Sequence, residues 1–391
     1  MNKIKLILIT IRNILISLTN KPDNNIAIFS FDKNNFKFNS RSLFEYIIDN
    51  KKEDFEIKYI INDDAKRNDL IKEYGDYFIT TKYKEDIKLI SRAKIWITDG
   101  GFPLKTPFNH KNRILVNLWH GIPLKKVGLM GYSGINKLRV ALTLKMFARH
   151  YTLFSSTSDN LAEIYSKSFL IKNSVIKTMG QPRNDKLFEE PKNLSYFIKD
   201  IPEYKKIILY APTWRAGIYG KSWIGEDTQF FPFEDFSQTQ LEQFLEENQY
   251  LLLLRPHHLQ KINISESKWI RSFSSDECEE IMDVMPHFDL LITDYSSIYF
   301  DFLLLNKPII FLPYDIETYQ SQVGLNFDYN FSTPGPKPKT QNEFIHEIHQ
   351  SLTNNEYFLE KRELINNYFN QVKYGSSKLI YDYIVNNLRN K

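Results

Sequence analysis

The chain predicts an α/β protein built from two doubly wound parallel sheets. Three observations carry this reading. Short apolar, β-branched runs recur in two successive series, helical stretches separate them, and 391 residues are ample for two cores. The first series is Ile26 to Phe31, Phe55 to Ile61, Tyr77 to Thr80, Ile95 to Thr98, Ile114 to Leu118 and Val175 to Met179. Each run is too short for a helix and rich in apolar and β-branched residues, as a strand of a covered sheet requires. Helices over Arg41 to Asp49 and Lys84 to Arg92 lie between them.

The second series is Lys206 to Tyr210, Tyr250 to Leu254, Leu290 to Thr293 and Pro308 to Leu312. A helix over Ser237 to Glu247 and a turn over Glu280 to Met285 intervene. Pro191 and Pro202 mark Glu190 to Lys205 as the crossover, which divides the chain into residues 21–195 and 196–391. Beyond Pro334-Gly335-Pro336 and Pro338 the sequence reads helical to Lys391.

Composition narrows the function classes. A hydrophobic fraction of 42% and an aromatic fraction of 15% exclude a mainly disordered chain. A net charge of +4 gives no general attraction to nucleic acid, so no such partner is expected and any basic attraction is local. Cys278 is the one cysteine, which excludes an intramolecular disulfide framework and any thiolate metal cluster. Glu277, Glu279 and Glu280 oppose its thiolate, so Cys278 reads as structural, and a reducing cytoplasm fits.

Residues 1–20 carry Lys3, Lys5 and Arg12 among isoleucines and leucines. Arg12 and Asn13 interrupt the apolar run short of the roughly 20 residues a bilayer requires. Ile4, Leu8, Ile11, Leu15 and Leu18 share one helical side. An interfacial membrane helix is the reading preferred here, and a helix docked on the protein's own body is the alternative.

Polar residues cluster where the strands end. Ile114 to Leu118 runs into Trp119-His120-Gly121-Ile122-Pro123-Leu124-Lys125-Lys126, and Val175 to Met179 into Gly180-Gln181-Pro182-Arg183-Asn184-Asp185. The second series runs into Ala211-Pro212-Thr213-Trp214-Arg215, Arg255-Pro256-His257-His258 and Asp294-Tyr295-Ser296-Ser297. Ligands of open α/β sheets sit outside the carboxyl ends of the strands, so a crevice between two lobes is the expected site. Ser296 and Ser297 open a helix that continues to Leu305. Helix starts accept anions, so a phosphate is one reading there, and plain capping is the other.

The motifs WHGIPLKK, GQPRND, YAPTWR, LRPHH and ITDYSSIYFDFLLLNKPIIF, in that order, resemble the CDP-glycerol glycerophosphotransferases of teichoic acid and capsule synthesis. GLNFDYNFSTPGP and the early FSFDKNNFKFNSRSLFEYI add to the likeness, which covers nearly all of the chain after Asn25. The resemblance implies two facing Rossmann-like lobes (GT-B-like) with a helical C-terminus. It also implies transfer of a polyol phosphate from a CDP-polyol donor, CDP-glycerol or CDP-ribitol, with release of CMP. The acceptor is a lipid-linked glycan or polyol phosphate.

By this resemblance His120 is the general base, and His257 contacts the diphosphate and assists CMP departure. His258 beside it departs from the family pattern. Trp119, Gly121, Pro123 and Lys125 of the same motif as His120 carry over as substrate-binding residues. Arg215, Arg255, Ser296 and Ser297 are the phosphate candidates, since a guanidinium presents a fixed fork of donors. Arg183 is a further one, with an Arg183–Asp185 ion pair pinning the loop as its alternative. Asp294 orients a donor or anchors the turn, and Asp301 holds structure. Tyr210, Pro212 and Thr213 flank the cytosine or ribose.

No Asp-x-Asp pair or His/Cys ligand spacing appears, so no tightly bound metal and no cofactor are expected, with weak Mg²⁺ assistance left open. Gly131 to Tyr151 mixes Lys137, Arg139, Lys145 and Arg149 with Leu138, Val140, Leu142, Leu144, Met146 and Phe147. It reads either as a basic amphipathic helix on an anionic membrane surface or as a core helix with solvated basic residues. Peripheral attachment at the cytoplasmic face follows from the first reading, and a homo-oligomer is compatible with either. Two rival functions share these features: a nucleotide-sugar glycosyltransferase or epimerase, and a non-catalytic membrane-associated assembly module. Chain length leans toward a priming or few-step transferase.

Overall fold

Every strand among the described residues of the computed structural model belongs to one of two all-parallel sheets, one per lobe. Residues 11–16, 22–51, 55–104, 112–213, 230–256 and 264–389 are described. In the first lobe the strands are β1 (Asp23–Ser30), β2 (Glu56–Ile60), β3 (Phe78–Ile79), β4 (Ala93–Thr98), β5 (Ile114–Asn117), β6 (Leu153–Ser156) and β7 (Ile176–Thr178). Their spatial order is β3-β2-β1-β4-β5-β6-β7. Side chains alternate between faces, and the central strands are covered on both, so β4 and β5 are mostly apolar, while β2 and β7 carry exposed lysine or glutamate. Phe29, Ile97 and Val116 face one core, while Ile28, Trp96 and Leu115 face the other.

The helices of this lobe follow the strands: α1 (Phe38–Asn50), α2 (Asp64–Tyr74), α3 (Lys84–Arg92), α4 (Gly134–Phe147) and α5 (Ala162–Phe169). Asp63 caps α2 by accepting from the Lys66 N–H. α1 buries Leu43, Phe44 and Ile47 against Phe29 and Tyr59. The helical segment at 11–16 docks on this lobe through Ile16, and Arg12 donates to the carbonyls of Thr81 and Lys82. That is the docked alternative for these residues; the remainder of 1–20 lies outside the described residues. No helix among the described residues is long and apolar enough to cross a membrane.

The second lobe holds β8 (Lys206–Tyr210), β9 (Tyr250–Leu254), β10 (Ile270–Ser272), β11 (Leu290–Thr293) and β12 (Ile309–Phe311), in the order β10-β9-β8-β11-β12. Around them lie α6 (Gln238–Asn248), α7 (Ile298–Phe302), α8 (Ile316–Gln322), α9 (Tyr329–Ser332), α10 (Gln341–Thr353) and α11 (Leu359–Phe369). Its core joins Ile208, Leu252, Leu290 and Ile310 to Leu241 of α6 and Phe344 of α10. The helix expected after Ser297 is shorter than its sequence pattern. α7 has five residues and passes into a 3-10 turn, Leu303–Leu305, which Asn306 ends in the left-handed region.

The two lobes divide the chain at other places than 195/196. The first comprises Met1–His120, Gly134–Asp185 and Val372–Lys391, the second Gly121–Ser133 and Lys186–Gln371. Three sets of bonds explain the correction. The last helix, α12 (Ser376–Arg389), returns to the first lobe, where Asp185 accepts from the Ser376 and Ser377 N–H groups and Ile380 and Ile384 enter the core. Gly180, with φ +76°, lets α12 begin close by, because a Cβ there would collide with Ser376 and Val372. Segment 121–133 belongs to the second lobe because Asn326 donates to the carbonyls of Pro123 and Lys125 at 2.7 and 2.8 Å. Lys192 joins the same lobe through Asp283, with its N–H on the carbonyl and its ammonium 2.8 Å from the carboxylate.

Candidate active site

His120 lies just beyond β5, where the backbone leaves the sheet through an unusual turn. Trp119 is held in the left-handed region at φ 54°, a conformation that costs a large L-residue about 1–2 kcal/mol. Three bonds fix it: the Trp119 N–H donates to Asn117 Oδ1, and Asn39 Nδ2 donates to the carbonyls of Trp119 and Leu118. The turn aims the imidazole into a ring of aromatic side chains. Trp119 is 4.1 Å away between centroids, and Phe31 and Phe38 are each 6.1 Å away.

Nδ1 of His120 is 2.8 Å from the Asp99 carbonyl oxygen. A carbonyl can only accept, so Nδ1 carries the proton and Nε2 keeps a free lone pair. Asp99 is itself pinned at the end of β4, where its carboxylate accepts from the Ser40 N–H and hydroxyl at 3.0 and 2.6 Å. Burial, against the opposing bond to Asp99 and with a smaller contribution from the Arg183 charge, brings the His120 pKa down to about 4. At neutral pH the ring is an uncharged proton acceptor with a fixed tautomer.

Arg183 is buried with its guanidinium over the Phe38 ring, and its backbone N–H donates to Asn39 Oδ1. It stands beside the base. Asp185 does not serve as the loop-pinning ion partner expected for it, because both its oxygens cap α12.

In the second lobe the Asp294-Tyr295-Ser296-Ser297 turn closes β11. Asp294 Oδ1 accepts from the Thr213 and Tyr295 N–H groups, and its carbonyl accepts from the Tyr329 hydroxyl, so this aspartate anchors the turn. Tyr295 stacks on Tyr319 at 3.8 Å and donates to Asp315. Ser296 Oγ lies 3.4 Å from the Ile298 N–H, a weak cap, and Ser297 makes no side-chain cap. Lys125 brings its ammonium to 5.7 Å from the Tyr319 ring, which places a cation of the Trp119–Lys126 motif in this lobe. The motif is thus divided: Trp119 and His120 belong to the first lobe, Gly121, Pro123 and Lys125 to the second.

Two expectations change. Arg255 spends its guanidinium on the carbonyls of Phe273, Ser274 and Cys278, at 3.2, 3.0 and 2.9 Å, so it holds a loop rather than offering its fork to a phosphate. Tyr210 is a core residue, stacked on Phe231 and bonded to the Phe230 carbonyl, and is too buried to flank a base. His257 and Arg215 lie outside the described residues. Sequence reasoning did not single out Asn39 and Asp99, which position His120, or Asn326, which ties Lys125 into the second lobe. Asn39 sat inside the early FSFDKNNFKFNSRSLFEYI stretch and Asn326 inside GLNFDYNFSTPGP; Asp99, acting through its backbone, left no signal.

The sequence pattern of CDP-glycerol:poly(glycerophosphate) glycerophosphotransferases matches residues 12–386. The chain belongs to that family. It is an enzyme, a transferase of glycerol phosphate. The transferase is 31% identical over 353 residues to the teichoic acid poly(glycerol phosphate) polymerase of Bacillus spizizenii, covering 86% of each chain. It is 30% identical over 356 residues to the teichoic acid glycerol-phosphate transferase of Staphylococcus aureus, covering 87% of each. Among solved structures, the wall teichoic acid polymerase TagF superposes with a TM-score of 0.76 at 22% identity, over 99% of this chain and 95% of that one. The transferase therefore has the GT-B-like fold expected from its motifs.

Proposed function

We propose that this transferase moves glycerol phosphate from CDP-glycerol to a hydroxyl of a lipid-linked acceptor at a membrane surface, and that His120 is its general base. The acceptor oxygen attacks the phosphorus that bears glycerol, and a new O–P bond forms. The anhydride O–P bond breaks, CMP leaves with the electron pair, and the hydroxyl proton passes to Nε2 of His120. The observation that carries this reading is the Nδ1–H···O bond to Asp99, which leaves Nε2 as the acceptor.

The donor's phosphates are assigned to the Ser296-Ser297 turn and Lys125, with Arg215 and His257 carried over from the family motifs. Among the described residues no group of three His, Cys, Asp or Glu side chains stands ready to hold a metal ion. The reading gives charge neutralisation to the protein and needs no resident cofactor. Complete loss of turnover in EDTA would overturn that part.

Helix α4 supports the membrane half. None of its residues is fully buried, and Lys137, Arg139 and Lys145 lie on it with Arg149 just beyond, while Phe147 packs on the core of the lobe. Flotation with anionic liposomes tests attachment; the fourfold charge reversal of these residues to Glu is expected to abolish it.

The decisive experiment is CMP release from CDP-glycerol, with CDP-ribitol and a UDP-sugar as comparisons and products sized by mass spectrometry. CMP from CDP-glycerol that falls 10²- to 10⁴-fold in His120→Ala supports the reading. Unchanged turnover in that variant sinks the general-base assignment, and release of UDP alone sinks the donor.

A further inference from the structure

The first lobe contains an apolar cavity of about 390 Å³ in which the proposed transfer places no reacting group. Its walls are Gly100, Gly101, Trp119, Leu144, Phe147 and Phe169, among others. The volume falls in the range of small-molecule sites. The polar groups at its wall are occupied: Asn117 Nδ2 and the Tyr151 hydroxyl both donate to the Gly100 carbonyl, at 3.2 and 3.0 Å. A site of this kind excludes water and accepts hydrocarbon.

One side of the cavity is α4, and the far side of that helix explains where hydrocarbon would come from. At about 100° per residue, Val140, Leu144 and Phe147 face the lobe, while Ile135, Leu138, Leu142 and Met146 fall on the opposite side within an arc of about 80°. Those four are between 43% and 68% exposed. Arg139 and Lys145 flank the stripe on its two edges, the charge pattern that complements anionic headgroups. The same helix therefore presents an apolar stripe with cationic borders outward and lines a largely apolar cavity inward.

We infer that this cavity takes one hydrocarbon chain of a membrane lipid, which enters beside α4 and ends against Trp119. The inference rests on the membrane reading proposed above for the source of the chain. It adds a lipid site beside the base, since the Trp119 ring that walls the cavity lies against His120. A chain seated there couples membrane contact to the His120 turn.

The test uses the full chain and a monomeric brominated alkyl maltoside, whose bromines quench tryptophan on contact. Saturable quenching is expected, lost in Trp119→Phe and at least tenfold weaker in affinity in Gly101→Leu. Gly101 lines the cavity and a Cβ there meets nothing within 4 Å, so the fold tolerates the added side chain. Gly100→Leu, with the same free space, repeats the test if Gly101→Leu does not fold. Quenching that never saturates, or that both filled variants retain, overturns the proposal. Co-sedimentation with anionic vesicles is measured separately. Sedimentation without Trp119 quenching rejects the cavity and keeps the membrane reading; saturable quenching without sedimentation rejects the membrane reading and keeps the cavity as a hydrocarbon site. Dimers that dissociate on charge reversal in α4, with no quenching, would assign the stripe to a second copy and reject the lipid.

Discussion

His120 donates from Nδ1 to the Asp99 carbonyl at 2.8 Å, and burial holds its pKa at about 4 against an ordinary 6.5. Between those values the unfolded chain binds a proton that the folded lobe refuses. The contribution to stability is thus present above pH 6.5 and lost as pH falls toward 4. In kcat/KM, which reports the free enzyme, the His120 limb is expected near pH 4. The kcat limb should lie higher, because a bound anionic donor favours the imidazolium. Arg183→Leu removes a charge that disfavours protonation and should move the kcat/KM limb upward. A wild-type limb at 6.5 that Arg183→Leu leaves in place would exclude His120 as the group observed.

Arg255 separates a structural arginine from a phosphate ligand. Its charge-assisted bonds to three carbonyls each contribute about 1.5–3 kcal/mol, and they share one side chain. Arg255→Met is expected to lose about 3 kcal/mol in urea unfolding, with KM for CDP-glycerol changed less than threefold. A tenfold rise in KM at unchanged stability would return Arg255 to the donor site.

Asp185 closes the first lobe by capping α12. Asp185→Ala removes both acceptors and should cost about 1–2 kcal/mol, the size of a helix cap. Limited proteolysis should then cut first near Gly375. Wild-type resistance of that segment would show that core burial of Ile380 and Ile384 suffices without the cap.

Gly335 tests how the second lobe's edge is finished. A Cβ there would overlap the Ile309 carbonyl oxygen of β12, while the neighbouring Pro336 carbonyl accepts from the Phe311 N–H at 3.0 Å. Gly335→Ala must push this segment off the strand. The expected result is a loss of more than about 3 kcal/mol or no soluble protein, measured by thermal unfolding.

The buried strands of both lobes were legible because parallel strands covered on two faces are mostly apolar. β6 and β10 were not: Leu153-Phe154-Ser155-Ser156 and Ile270-Arg271-Ser272 are short and polar in part. Their strand character comes from the ladders on β5 and β9. His120 was legible as a candidate from its motif, but the reason it can act was not. Its tautomer depends on a backbone oxygen from another strand, and a carbonyl has no residue type to recognise. Arg255 misled for a related reason, since a guanidinium beside a strand end looks the same whether it binds phosphate or three carbonyls. The expected crossover at 190–205 lies a few residues past the break at 185/186, but two contiguous halves miss the return of the chain, because a sequence reads locally whereas the bonds from Asp185 to Ser376 and Ser377 join residues 191 and 192 positions apart.

That last attachment bears on how the protein is made. A nascent chain leaves the ribosome amino end first. All strands of the first sheet are out by Thr178, yet the core they enclose still lacks Ile380, Tyr381 and Ile384. The lobe whose strands emerge before those of the other is thus completed only after the other has been made. Until α12 has emerged, an unsealed apolar surface is open to chaperones.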